Sequence, residues 1–161
     1  MKNLKELLEH QLKDLYSAEL QLVTALPEFI TAANDSEIKI VLTNHFRETK
    51  IHKERLENIC SELNIDPTGK ICKAMDGLIR ETYSFIAEES EEEVLDAGLI
   101  GEVQRIEHYE IAGYGTAARY ARELGLSNIA RELYKTFSEE ENVDHLLNGI
   151  AESRINQAAI A

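Results

Sequence analysis

The stretch RIEHYEIAGYG, residues 105–115, places two glutamates one helical turn apart among apolar and small residues. Glu107 and Glu110 are three positions apart, so both lie on the same side of a helix. Ile106 and Tyr114 flank them along the chain. A solvated surface helix does not require such apolar neighbours. The stretch therefore predicts a helix that directs at least one carboxylate into the protein interior.

Apolar residues spaced i, i+3, i+4 and i+7 extend this pattern over most of the chain. The 161 residues contain only two prolines and eight glycines, and no alternating β-branched run is present. These features predict an all-α protein. The four long helices are expected at about 4–33, 37–63, 93–124 and 128–152.

Very short turns join the helices in pairs, which is typical of antiparallel α-hairpins. About thirty residues separate the two pairs, and they contain a shorter amphipathic helix. A connection of that length can run along a bundle, so the pattern indicates a ferritin-like four-helix bundle with a long crossover. We expect one domain over 1–161, divided into a hairpin at 4–63, a crossover at 64–92 and a hairpin at 93–152.

Local signals predict details of three helices. Pro27 lies inside the first helix and removes a backbone donor, so a kink or a local break is expected there. Asp35 or Ser36 is the expected N-cap of the second long helix, and Ser127 that of the fourth.

Composition narrows the functional class and the cellular setting. The formal net charge of −13 disfavours nucleic acid as a direct partner, because an acidic chain repels phosphates. Cys60 and Cys72 do not form a C-x-x-C motif, so they signal no zinc knuckle, and a reducing cytoplasm is expected. No apolar run reaches the length of a membrane span.

Each long helix carries at least one acidic residue on its apolar stripe. Ionised carboxylates buried together cost several kcal/mol each in desolvation and repel one another, so protons, basic partners or metal ions must neutralise them. Arg55 is the main basic candidate. The polar residues on the stripes are Glu19 in the first helix, His45, Glu48 and His52 in the second, Glu107 and Glu110 in the third, and Glu140 and Asp144 in the fourth.

The two hairpins resemble each other in these residues. The corresponding positions are Glu19, Glu48 and His52 in the first hairpin and Glu110, Glu140 and Asp144 in the second. A pseudo-two-fold arrangement would bring the four glutamates together. Bundles that bind two metal ions use Glu from two helices and Glu/His pairs from the other two. Carboxylates with imidazoles suit Fe, Mn or Zn, whereas oxygen ligands alone favour Ca or Mg.

Five segments in order resemble the YciE/YciF family of ferritin-like bacterial proteins: LKDLYSAELQL, HFRETKIHKERLE, GKICKAMDGLI, VQRIEHYEIAGYGT and EEENVDHL. The resemblance implies a rubrerythrin-like bundle, a homodimer and an association with bacterial stress. It also implies a dinuclear metal centre, and from the ligand types we expect two Fe or Mn ions there, with Zn as a substitute. The ligands that it implies are Glu19, Glu48, His52, Glu110, Glu140 and Asp144, with Glu107 as an extra or alternate ligand.

The sequence departs from the wider ferritin and rubrerythrin pattern in the second and fourth helices. Position 51 is Ile, so the second helix offers His45 with Glu48 or Glu48 with His52 instead of E-x-x-H. The fourth helix has no His at the expected place, and His145 lies off its stripe.

Two main functions remain open at this point. A metalloprotein bridged by Glu48 and Glu140 would react with oxygen or peroxide, although no electron-donor domain is recognised in the chain and its donor is unknown. A structural or interaction dimer with protonated or hydrogen-bonded acids is the alternative. Iron storage is a weaker third option, because no shell-forming surface is recognised.

Overall fold

The structure is a computed structural model that describes residues 1–160; Ala161, the last residue of the predicted domain, lies outside the described residues. Within residues 1–160 all regular structure is helical. The helices are α1 (Leu4–Ala32), α2 (Ser36–Leu63), α3 (Lys73–Ile86), α4 (Glu92–Glu123), α5 (Ser127–Ile150), a π-helical turn (Ala151–Ile155) and α6 (Asn156–Ala158).

The helices assemble as the sequence predicts. Helix α1 packs against α2 and α4 against α5, each pair joined by a turn of three residues, while α3 lies in the crossover and contacts α4 and α1. The prediction of an all-α bundle of two hairpins with a long crossover and a short fifth helix is therefore confirmed.

Side chains cap the starts of α1, α2 and α3, but one predicted cap is wrong. The Asn3 side chain accepts the Glu6 N–H at 2.9 Å at the start of α1. Asp35 caps α2 by accepting two backbone N–H groups. Ser127 was expected to cap α5, but the N-cap is Leu126 and no side chain caps this helix, since Ser127 is already its first helical residue.

Helix α1 passes through Pro27 without a break. The expected local break is absent, since the proline lies near the end of a helix that the core holds on both sides of it. Leu26 and Phe29 are both buried. Packing of these apolar side chains offsets the loss of one backbone donor.

The core consists of two separate apolar clusters, one toward each end of the bundle. In α1 the residues up to Tyr16 belong to one cluster and those from Ala18 to the other. In α4 the division falls between Ile106 and Tyr114. The segments between the two clusters are therefore mid-helix segments, and these carry the polar residues described below.

Asp96 of α4 connects the two hairpins. Its side chain is 4% exposed, and its two carboxylate oxygens accept the backbone N–H groups of Asn34 at 2.7 Å and Asp35 at 2.8 Å. These amides lie in the α1–α2 turn, so a side chain of the second hairpin completes the turn of the first.

None of the helices within residues 1–160 combines the length and apolar character needed to cross a membrane.

Candidate metal centre

Six ionisable side chains lie between the two apolar clusters, and all four bundle helices contribute to them. Each is at most 1% exposed. They are Glu19 from α1, His45 and His52 from α2, Glu107 and Glu110 from α4, and Glu140 from α5.

The six residues form two overlapping groups whose potential ligand atoms all lie within 4.8 Å of one another in each group. Glu140 belongs to both groups and is the single residue that they share. One group is His45, Glu107, Glu110 and Glu140; the other is Glu19, His52 and Glu140. The two groups are adjacent and share the carboxylate of Glu140.

Helix geometry places the ligating atoms. In α2, His45 and His52 are two turns apart and therefore lie on one face. Thr49 lies between them, also fully buried, and its hydroxyl donates to the His45 carbonyl at 3.0 Å. In α4, Glu107 and Glu110 are one turn apart and both are completely buried.

Direct contacts hold the side chains across the bundle. The Tyr114 hydroxyl donates a hydrogen bond to Oε1 of Glu19. Nδ1 of His52 lies 2.8 Å from Oε1 of Glu140 and 3.7 Å from Oε1 of Glu19. The imidazole of His52 thus lies between two carboxylates that come from different hairpins.

A second layer supports His52. Its Nε2 lies 3.0 Å from Oε2 of Glu139, and Arg55 donates to the same oxygen at 2.7 Å. A histidine that binds a metal through one ring nitrogen usually donates the other N–H to a carboxylate, which fixes the ring. The expectation that Arg55 neutralises the core glutamates is wrong, since its guanidinium pairs with Glu139 and Glu132 at the edge of the bundle.

Burial changes the ionisation of the carboxylates. It raises the pKa of Glu19 to about 7, although His52 opposes the change. It raises the pKa of Glu107 and of Glu110 far above the usual range, and the charges of Glu140 and Glu19 add to the effect. Burial and the neighbouring carboxylates therefore favour the neutral, protonated form of Glu107 and Glu110.

In Glu140 and His52, by contrast, the neighbouring groups favour the charged form despite burial. Burial alone would raise the pKa of Glu140, but the neighbouring His45 and His52 and the contact with Glu107 lower it to about 2. Burial alone would lower the pKa of His52, but contacts with Glu139 and Glu140 raise it to about 10. Without metal, Glu140 and His52 thus form an ion pair inside the bundle.

Most of the polar atoms of these six side chains make no hydrogen bond. Ten buried nitrogen and oxygen atoms of the six side chains make no well-aligned hydrogen bond within residues 1–160. Four of them lie close to an opposite group all the same: Nδ1 of His52 is 2.8 Å from Oε1 of Glu140, and Nε2 of His45 is 3.1 Å from Oε1 of Glu107. A buried polar atom without a partner costs about 1–3 kcal/mol, so most native proteins contain only a few. The atoms concerned are Oε2 of Glu19, both ring nitrogens of His45, Nδ1 of His52, and both carboxylate oxygens of Glu107, Glu110 and Glu140.

The chemistry of these donors fits a transition metal. Four carboxylates and two imidazoles provide the mixed oxygen and nitrogen set that Fe, Mn or Zn accepts, whereas Ca and Mg prefer oxygen alone. The buried His and Glu groups could thus hold metal ions.

Two of the residues predicted as ligands belong to neither group. Glu48 is half-buried, and burial is the main cause that raises its pKa. Asp144 is 25% exposed, and its Oδ1 accepts a hydrogen bond from Gln104 at 2.9 Å and contacts Nε2 of His108 at 3.2 Å. The structure brings the other five predicted residues together and leaves Glu48 and Asp144 at the side of the cluster.

Sequence reasoning gave too little weight to His45 and did not find Glu139. His45 occurs on the predicted stripe, two turns before His52, and that spacing was the available signal. Glu139 is adjacent to Glu140 and lies off the apolar stripe, so periodicity could not show that it contacts His52.

Comparison with known proteins agrees with this architecture. A family model described as a domain of unknown function, DUF892, matches residues 3–160. Protein YciF of Escherichia coli K12 is 38% identical over 160 residues, which cover 99% of this chain and 96% of YciF.

Solved structures of similar proteins have the same fold. The crystal structure of the E. coli stress protein YciF has a TM-score of 0.92 at 38% identity and covers 97% of this chain and 99% of that one. YcfI from Rhodopseudomonas palustris, described as a proposed structural protein, has a TM-score of 0.88 at 39% identity, covering 92% and 94%. A Xanthomonas campestris protein at 19% identity and a TM-score of 0.78 shares the fold. The family resemblance predicted from the five segments is confirmed, and the chain belongs to the DUF892 family.

Proposed function

We propose that the protein is a metalloprotein whose bundle core binds two Fe or Mn ions, with Zn as a substitute. The observation that carries the proposal is the set of ten buried potential ligand atoms, on four helices, that make no hydrogen bond within residues 1–160. Metal coordination would satisfy these atoms together, and it would neutralise the acids that otherwise need protons.

The two overlapping groups indicate which residues would hold each ion. His45, Glu107 and Glu110 would serve one ion, Glu19 and His52 the other, and Glu140 would contact both. Bound Fe or Mn would supply redox reactivity toward oxygen or peroxide. Glu139 would orient the His52 ring through Nε2, and Tyr114 would fix the Glu19 carboxylate.

The similarity to YciF supports a biological setting. The E. coli relative is called a stress protein. We infer that this chain also acts under stress, as an oxygen- or peroxide-reactive protein. The free thiols of Cys60 and Cys72 suit the reducing cytoplasm that the sequence predicts. A homodimer is expected from the family resemblance, and sedimentation should give twice the chain mass of 18.2 kDa.

Metal analysis of a matched pair of variants tests the proposal. We expect about two Fe or Mn ions per chain in protein from metal-replete cells. Glu140→Ala should lose most of this metal, because the shared carboxylate serves both groups. Glu141→Ala removes an exposed neighbour and should keep the wild-type content. A wild type that contains no transition metal and takes up none on reconstitution would contradict the proposal.

A structural or interaction bundle is the alternative function. It is favoured by the Tyr114–Glu19 hydrogen bond, by the raised pKa values of Glu107 and Glu110, and by the description of YcfI. In that case protonated acids would need no metal. The same metal analysis then finds equal and negligible content in the wild type, Glu140→Ala and Glu141→Ala.

A further inference from the structure

A cavity of about 400 Å³ lies between α4 and α5, outside the cluster of buried acids. None of its lining residues is acidic, although the chain has 30 acidic and 17 basic residues. The residues that form it include Arg119, Arg122, Arg131, Tyr134, Phe137 and Gly115.

The three arginines are exposed and free of carboxylate partners. Within residues 1–160, no Asp or Glu oxygen lies within 4.0 Å of any of their nitrogens. Arg119 donates to the Thr116 hydroxyl and Arg131 to the Asn128 side chain, and both contacts are neutral. Three uncompensated guanidinium groups therefore face one cavity.

The start of α5 lies beside the cavity and brings no acidic side chain to it. Its N-cap is Leu126, no side chain caps it, and its first turn contains no acidic residue. Ala130 and Arg131, just after this first turn, line the cavity. The partial positive charge at this end of α5 is opposed by the partial negative charge at the end of α4, whose last turn carries Arg122, so the positive potential of the cavity comes from the arginine side chains.

An aromatic surface borders the charged one. Tyr134 is 58% exposed and stacks on Phe137, with ring centroids 5.1 Å apart. A Cβ atom at Gly115 would lie 3.1 Å from the Phe137 ring, so glycine is what allows this ring to approach α4. The stacked pair therefore presents one exposed tyrosine face beside the arginines.

We propose that this cavity binds a nucleotide, with its phosphate groups on the arginines and its planar base on Tyr134. Arginine binds phosphate oxygens in pairs, and exposed aromatic faces stack with bases. The volume of 400 Å³ falls within the range of small-molecule sites. The site is separate from the proposed metal centre and does not depend on it.

The net charge of −13 favours a small ligand over a nucleic acid strand. Charges more than about 8 Å away are largely screened at physiological salt, so a mononucleotide in the cavity responds mainly to the local arginines. A longer strand would extend over the acidic surface and be repelled.

Titration calorimetry with ADP on the full chain tests the arginines. Arg131→Gln should weaken ADP binding at least about tenfold, the loss expected for one charge-assisted contact. Arg47→Gln is a matched control, because Arg47 is also exposed and donates to an Asn three residues earlier. Its ADP affinity and the thermal midpoints of both variants should stay at the wild-type values. Absence of ADP binding at about 1 mM, or equal weakening in both variants, would overturn the proposal.

A second comparison tests the base. Tyr134→Leu should weaken ADP binding several-fold and leave pyrophosphate binding unchanged, because only ADP carries a base to stack. Equal ADP and pyrophosphate affinities that Tyr134→Leu does not alter would overturn the assignment to a nucleotide. Tighter binding of a ten-residue oligonucleotide than of ADP would overturn it in favour of single-stranded nucleic acid.

Discussion

Glu140 lies at the centre of the buried polar cluster. It is fully buried, lies in both ligand groups, and keeps a pKa of about 2 while the neighbouring Glu107 and Glu110 have strongly raised pKa values. In the metal-free core an ionised Glu140 pairs with His52, while burial favours the protonated form of the neighbouring acids. A cation would replace the protons on the neighbouring acids.

Removing a buried carboxylate should change the free energy of unfolding differently at two positions. Both oxygens of Glu110 lack partners, so Glu110→Leu should stabilise the metal-free protein by about 1–3 kcal/mol in urea unfolding. Glu19→Leu should be less stable than Glu110→Leu in the same measurement, because it leaves the buried Tyr114 hydroxyl without its acceptor. After metal loading, Glu110→Leu should become the less stable protein relative to wild type. Equal destabilisation with and without metal would indicate a structural carboxyl group.

The metal-free protein should be most stable at mildly acidic pH. The pKa of His52 rises from 6.5 to about 10 on folding and that of Glu19 from 4.5 to about 7, so their contributions are complete at low pH and are lost as pH rises through these windows. The pKa values of Glu139 and Glu140 fall from 4.5 to about 2, so their contributions are lost as pH falls below 4.5.

Urea midpoints at pH 5, 7 and 9 measure this dependence. The midpoint of the metal-free wild type should fall from pH 5 to pH 9, and His52→Asn should flatten the change above pH 6.5. An increase in stability from pH 5 to pH 9 would contradict the assigned ionisation of His52 and Glu19.

At the level of elements, periodicity predicted which side of each helix faces the core, but not which polar side chain points to its centre. The buried row of α2 follows His45, Thr49, His52 and Leu56. With 3.6 residues per turn, Glu48 lies about 60° from His45 around the helix, which puts it at the edge of that row. The predicted pair of Glu48 and His52 has a spacing that metal ligands on one helix can use. An apolar stripe, however, defines the core-facing side of a helix only to within about 60°.

The same reasoning applies to α5. Its buried row follows Thr136, Glu140, Val143 and Leu147. Asp144 lies on the other side of Glu140 from Val143, so it meets Gln104 and His108 at the surface. The internal repeat suggested that both hairpins use an i, i+4 pair of ligands. Sequence alone could not show which residue of each pair points into the core, because that depends on the rotation of each helix about its own axis.

Two glycines of α4 should respond oppositely to alanine. A Cβ at Gly98 would overlap the Phe85 ring of α3 at 2.0 Å, whereas a Cβ at Gly101 meets nothing within 4 Å. Gly101→Ala should stabilise the protein by about 1 kcal/mol through helix propensity. Gly98→Ala should destabilise it by about 1–3 kcal/mol, because the crossover helix must shift. Urea unfolding measures both, and equal stabilisation would show that Phe85 moves aside freely.

At the scale of the whole molecule, the sequence predicted the architecture well because turns and apolar stripes determine it. The three-residue turns and the long crossover left few possible arrangements of four helices. What the pattern could not show is that a polar layer separates two apolar clusters. That separation depends on how the four helices align along the bundle axis.

Metal removal should therefore affect the fold as a whole. The proposed ligands come from α1, α2, α4 and α5, so bound ions would stabilise the native state of the entire bundle. Treatment with a chelator should lower the thermal midpoint of the wild type by several degrees, and readdition of Fe or Mn should restore it. Glu140→Ala should show no change on either treatment. A chelator effect of equal size in Glu140→Ala would place the metal elsewhere.

The contact of Asp96 with the α1–α2 turn has a consequence for the order of folding. The amides of Asn34 and Asp35 bond to an acceptor about sixty residues later in the chain. Because these two bonds form only once α4 has docked, we expect the turn of the first hairpin to become fully ordered late in folding. In native-state hydrogen exchange, these two amides should exchange only in openings that separate the hairpins, as slowly as amides of the buried helices.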